Sequence, residues 1–209
     1  MSRLALYGWD RSTYTRSVLL ALLEKGLDYQ LVTVDPFAEE GLSAAYKAMQ
    51  PFGKIPTLVH DDFQLYETAA ILRFLDEGFA GPSLQPADPQ DRARMQQIIA
   101  ILDSYGYRAL VWDVFVNLRE SSGDPEILAR GEDTGRRVLA AVAAKMTAPF
   151  LLGEAVTLAD CHLAPILRYA LAVEQGAAMI AEQPAIRRWW QQVLARPGWS
   201  AVLTLPSDS

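Results

Sequence analysis

Every strand-like stretch of this chain lies before Gly81-Pro82, and only helical patterns follow it. A sequence that spends its strands first and then turns wholly helical predicts a small layered α/β domain followed by a separate helical one. Residues 3–8, RLALYG, alternate and stop at a glycine, as a short strand does. Ser12-Thr13 then introduce Val18, Leu19, Leu22 and Leu23 at helical spacing, with Gly26 suited to the C-terminal cap. Tyr29–Val34 is β-branched and aromatic enough for a second strand. A weak helical pattern covers Glu39–Met49. Thr57–His60 and Phe63–Tyr66 flank Asp61-Asp62 as a tight hairpin, and Glu67–Phe79 carries Ala70, Ile71, Phe74 and Leu75 on one helical face. The predicted order is βαβ–αββα over residues 1–80.

The Pro-rich stretch 81–89 reads as a linker. Beyond it, over 90–209, the pattern predicts an all-α bundle. Its helices are Asp91–Arg119 with a break point at Gly106, Glu126–Met146, Leu158–Ala172 and Pro184–Leu194, the last carrying Trp189 and Trp190 as packing residues. No internal repeat is evident. One local signature is sharp. Thr157 precedes the third of these helices with Asp160 three positions on, so hydroxyl and carboxylate can each satisfy an orphan backbone N–H, and Val156 can staple Cys161 inward. That assigns Thr157 and Asp160 to structure rather than catalysis.

Composition removes several function classes. A net charge of −6 with scattered basic residues disfavours nucleic acid. The single cysteine, Cys161, precludes an internal disulfide, a CxxC pair and a cysteine-rich zinc site, and His60 and His162 lie far apart, so no metal is expected. No apolar run approaches a membrane span, and the N-terminus lacks the apolar core of a signal peptide, so the expected location is the cytoplasm.

The segment PFGKIPTL, residues 51–58, is the odd one: a glycine and two prolines run straight into a strand. Proline donates nothing to a sheet ladder. Four segments in order, LYGWDRSTYTRSVLLALLEKG, PFGKIPTL, YETAAILRFL and LLGEAVTLAD, together resemble the cytosolic glutathione S-transferase family over nearly the whole chain. The likeness is to bacterial, serine-type members (phi-, zeta- and theta-like classes). It implies a thioredoxin-like N-terminal domain, a helical C-terminal domain, a homodimer and a role in detoxification. It also implies a cis bond before Pro56, with Pro56 opening the third strand and the Ile55 main chain free to pair with the cysteinyl backbone of glutathione.

Glutathione, as co-substrate, would need its thiol activated. A cysteine-like thiol has a pKa near ~8.5, and lowering it by about two units requires ~2.7 kcal/mol of preferential anion stabilisation. A hydroxyl at the positive end of a helix can contribute to that. The resemblance assigns the hydroxyl to Ser12. Ser12 is also a natural N-cap, and the two roles are expected to coexist only if a backbone donor supplements the site. Tyr7 is the alternative donor, with Thr13, Tyr14 and Thr15 behind it. In the same resemblance Glu67 and Thr68 hold the γ-glutamyl end, the helix start favouring a carboxylate. Thr68 as a mere helix cap is the structural alternative. Lys54 reaches the glycyl carboxylate, and Arg16 is structural. The electrophile pocket is expected between the domains, with Trp9, Tyr105, Tyr107, Trp112 and Phe115 available as aromatics. The implied activity is a transferase acting on a small hydrophobic electrophile. Other glutathione-dependent enzymes (isomerase, peroxidase or dehalogenase) and a non-catalytic glutathione-binding or interaction domain are the alternatives.

Overall fold

In the computed structural model, which describes residues 4–119, 123–147 and 149–205, all strands among those residues precede Glu67. Two units form, one running through Ser83 and the other from Leu84 to Leu205. The first contains β1 (Leu4–Gly8), α1 (Thr13–Lys25), β2 (Gln30–Thr33), α2 (Ala44–Met49), β3 (Thr57–His60), β4 (Phe63–Tyr66) and α3 (Thr68–Gly78). Arg3, expected to open the first strand, lies outside the described residues.

The four strands form one sheet in the order β2-β1-β3-β4. A helix joins β1 to β2, and such a crossover delivers a parallel pair, as observed. A two-residue turn joins β3 to β4, so they run antiparallel, and Asp61 takes the left-handed φ of 53° that a tight hairpin turn demands. Strand β1 is internal, which is why Leu4, Ala5 and Leu6 are all buried rather than alternating with solvent. Helices α1 and α3 pack on one another, burying Leu20, Leu22, Ile71, Leu72 and Leu75 completely. Gly26 closes α1 at φ 64° with its N–H on the carbonyls of the last turn. The far ends of α1 and α3 are tied by a buried ion pair, Lys25 Nζ to Asp76 Oδ1 at 3.3 Å. Thus the thioredoxin-like N-terminal domain stands as the resemblance implies, with α2 beginning at Ala44 rather than at Glu39.

In the second unit α4 (Pro89–Ile101) does not break at Gly106. It continues through two stretches of π-type, i→i+5, hydrogen bonding, Leu102–Gly106 and Arg108–Val116, into α5 (Asn117–Arg119). Gly106 serves close packing instead: a Cβ there would lie 3.1 Å from Leu102 Cδ2 and 3.3 Å from Val138 Cγ1. Then follow α6 (Pro125–Ala143), α7 (Leu158–Ala170), α8 (Glu174–Ala181), α9 (Pro184–Ala195) and α10 (Trp199–Leu203). Helices α8 and α10 were not foreseen, being too short to show a period. Within the expected linker, Leu84 is buried and its carbonyl accepts the Leu158 N–H, while Pro89 already begins α4.

The capping box at Thr157 is present and does more than cap. The fully buried Asp160 carboxylate accepts from Thr157 N–H at 2.7 Å, Thr157 Oγ1 at 2.7 Å, Leu151 N–H at 3.0 Å and Trp189 Nε1 at 2.7 Å. Trp189 is therefore not packing alone: its indole N–H fastens α9 to the start of α7. Burial pushes the Asp160 carboxyl above its ordinary range, and the four donors pull it back. Cys161 is buried in α7, as the staple implies. No helix among the described residues is long and apolar enough to cross a membrane.

Candidate active site

The sheet register gathers the predicted residues. Tyr7 of β1 sits opposite Thr57 of β3, and Thr57 sits opposite Tyr66 of β4. At that row the chain leaves β1 toward Ser12, enters β3 from Ile55-Pro56, and leaves β4 into Glu67-Thr68. Adjacent strands lie about 4.8 Å apart, so the three connections emerge from one end of the sheet within roughly 10 Å of each other.

Ser12 is the N-cap of α1, in extended conformation, and its Oγ accepts the Thr15 N–H at 3.2 Å. The bond uses a lone pair and leaves the hydroxyl proton available. This corrects the expected conflict between capping and donation. Capping therefore does not consume the hydroxyl proton, and an accepted bond polarises an O–H toward better donation. The loop holding Ser12 is itself fixed. The Trp9 carbonyl accepts the Ser12 N–H at 2.9 Å, and the Trp9 N–H points to Thr15 Oγ1 at 3.4 Å. Thr15 packs so tightly against the end of β1 that a Cβ on Gly8 would lie 2.5 Å from its Oγ1. Tyr7 is half-buried, its ring centroid 6.4 Å from that of Tyr46. Arg16 is buried with its Nε on the Asp10 carbonyl, a structural role as expected.

The Ile55–Pro56 bond is cis, as the resemblance implies. Strand β3 runs over Thr57–His60 as its sequence pattern predicts, one residue after the Pro56 start that the resemblance implies, because Pro56 has no N–H to contribute to the ladder. Among the described residues, neither the N–H nor the C=O of Ile55 has a hydrogen-bond partner. Its neighbours are held firmly. Lys54 N–H and Phe52 N–H both donate to Gln50 Oε1, at 3.1 and 2.7 Å, and the Lys54 carbonyl accepts from Tyr46 Oη at 2.7 Å. The Lys54 side chain is exposed at this end of the sheet. Tyr46 and Gln50 escaped sequence reasoning. Their only signal is a glutamine placed where a weak helix ends before proline.

Glu67 is the N-cap of α3 and adopts φ 70°, ψ 114°, a left-handed conformation that costs a non-glycine residue of order 1–3 kcal/mol. Its side chain makes no capping bond and stands exposed. Thr68 is not a cap but the first helical residue, buried, with the helix's leading N–H groups free of any side-chain cap. An uncapped helix start flanked by a strained acidic residue is suited to the carboxylate and ammonium of one amino-acid end.

A thioredoxin-like domain with an open main-chain edge before a cis-proline, followed by a helical domain, defines the class of fold. Comparison with known proteins places it further. Residues 6–83 match the family description "Glutathione S-transferase, N-terminal domain" and residues 112–197 match "Glutathione S-transferase, C-terminal domain". The chain is 31% identical to glutathione S-transferase F14 of Arabidopsis thaliana, over 88% of this chain and 76% of that protein. It is 30% identical to glutathione S-transferase 3 of Zea mays, over 99% of this chain and 97% of that one. The crystal structure of glutathione transferase F7 from Populus trichocarpa superposes with a TM-score of 0.83 at 31% identity, covering 95% of this chain and 97% of that one. The chain belongs to the glutathione S-transferase family and is homologous to enzymes that use glutathione as co-substrate.

Proposed function

We propose that this protein is a serine-type glutathione transferase that activates the glutathione thiol as thiolate for attack on a small hydrophobic electrophile. The Ser12 hydroxyl, at the positive end of α1, donates to the thiolate sulfur. The Ile55 main chain pairs with the cysteinyl backbone, with Pro56 holding the bend. Thr68 and the leading N–H groups of α3 hold the γ-glutamyl carboxylate, Glu67 pairs with the ammonium, and Lys54 with the glycyl carboxylate. The thiol proton passes to solvent. Sulfur then bonds to the electrophilic carbon, whose leaving group departs with the electron pair in a substitution. In an addition the pair moves onto the acceptor and is protonated. Residues 1–80 form the glutathione-binding domain in this reading, joined by 81–89 to the helical domain of 90–209. The protein acts as a cytoplasmic homodimer in detoxification.

The observation that carries the reading is the unpartnered Ile55 main chain at the same end of the sheet as a Ser12 hydroxyl with its proton to spare. Spectrophotometric titration of the thiolate of bound glutathione tests it. Wild type should lower the thiol pKa, and Ser12→Ala should return it toward the free value. If Ser12→Ala leaves it low while Tyr7→Phe raises it, the donor is Tyr7. Bound glutathione with an unshifted thiol in wild type sinks the transferase mechanism.

A further inference from the structure

We infer that Tyr46 and Gln50, one turn apart on α2, are positioning residues that set the main-chain edge for glutathione, a role that rests on the binding reading above. The directions of their hydrogen bonds follow from chemistry. A carbonyl only accepts, so Tyr46 Oη spends its single proton on the Lys54 C=O at 2.7 Å. The 3.1 Å contact between Tyr46 Oη and Thr57 Oγ1 must then run from the Thr57 hydroxyl to the tyrosine. Burial pushes the Tyr46 phenol above its ordinary value, so it keeps that proton at any working pH. The result is a directed chain from Thr57 through Tyr46 to Lys54. It grips the residue before Ile55 and the residue after Pro56, and leaves Ile55 itself untouched.

Gln50 completes the clamp. As the C-terminal cap of α2 its own N–H returns to the Tyr46 carbonyl at 3.0 Å, which fixes the two residues relative to each other. Its Oε1 takes the Lys54 N–H, so both polar backbone groups of Lys54 are held by α2. Gly53, at φ 62°, lets the intervening chain turn tightly enough for this. Tyr46 is 3% exposed, Gln50 1% and Thr57 0%. Three buried polar side chains spent on one surface loop are costly as packing and are explained by the geometry they impose. An edge that must match a peptide backbone needs its direction fixed before the ligand arrives. The clamp therefore governs glutathione affinity and leaves thiol activation to Ser12.

Calorimetric titration with glutathione, together with steady-state kinetics and the bound-thiol titration, tests the role in the full-length protein. Gln50→Met should weaken glutathione binding about tenfold and Tyr46→Phe about fivefold, the loss of one to two buried hydrogen bonds. The turnover at saturating glutathione and the bound-thiol pKa should stay at wild-type values. Thr57→Ser, which keeps the hydroxyl, should bind as wild type, and Thr57→Val should not; this pair decides the matter if either α2 variant fails to fold. Val193→Ala, a buried truncation in α9, should leave affinity unchanged. Unchanged affinity in the α2 variants, an equal loss in Val193→Ala, or a raised bound-thiol pKa overturns the proposal while wild type still binds glutathione. A wild type that binds none overturns the reading beneath it and the clamp with it.

Discussion

The buried pair between Lys25 and Asp76 gives the clearest quantitative prediction, because it joins the two helices whose other ends carry Ser12 and Glu67-Thr68. The side chains are 2% and 4% exposed, and Lys25 Nζ reaches both Asp76 Oδ1, at 3.3 Å, and the Asp76 carbonyl, at 3.0 Å. That carbonyl belongs to the last turn of α3, where a cation also complements the helix dipole. Lys25→Met removes the cation and leaves a carboxylate in a site with almost no water. Breaking a buried pair in this way typically costs about 3–5 kcal/mol, whereas replacing both partners by apolar groups is near neutral. Lys25→Met alone should therefore lose about 3–5 kcal/mol, roughly a fifth or more of the stability of an ordinary domain. The double variant Lys25→Met/Asp76→Leu should recover to within about 1 kcal/mol of wild type, since no buried charge remains. Urea unfolding followed by circular dichroism reads both as midpoint shifts at constant slope. A single variant within ~1 kcal/mol of wild type, or a double no better than the single, would refute the reasoning that desolvation dominates here.

Two further perturbations test the scaffold around the site. Asp160→Ala strips the acceptor from four buried donors and should destabilise the protein by about 3 kcal/mol or more, with Trp189 fluorescence shifting as its indole N–H loses its partner; an unchanged urea midpoint would show the network to be idle. Gly8→Ala forces Thr15 away from the end of β1, costing about 1–3 kcal/mol, and should raise the bound-thiol pKa because the Ser12 cap moves with Thr15; the thiolate titration checks it.

The elements of the first unit were readable because each carries its own local signal. Alternation marks β1, Gly26 ends α1, and Asp61-Asp62 turns the hairpin. The capping box was readable for the same reason, since Thr157 and Asp160 are three residues apart. What lay outside the sequence is nonlocal or conformational. Nothing in Trp189 announces that its N–H meets a carboxylate 29 residues away. Nothing at Gly106 says whether a glycine breaks a helix or admits a neighbour, and here Val138 decides it. The resemblance names Glu67 as a candidate, but no sequence signal announces its φ of 70°.

The sequence by itself therefore determined the order of elements, the division into a mixed α/β half and a helical half, and the candidates Ser12, Ile55-Pro56 and Glu67-Thr68. Local propensity and short-range hydrogen bonding suffice for the elements and their order, while the candidates rest on the family resemblance of the segments that carry them. The tertiary structure decided that these candidates share one end of the sheet, because only strand register brings Tyr7, Thr57 and Tyr66 into one row. It also decided that Ser12 caps α1 through a lone pair and keeps its hydroxyl proton, and that Tyr46 and Gln50 hold the loop around Ile55. Those outcomes depend on which atoms meet across the fold, and burial and hydrogen-bond geometry fix that only once the chain has closed on itself.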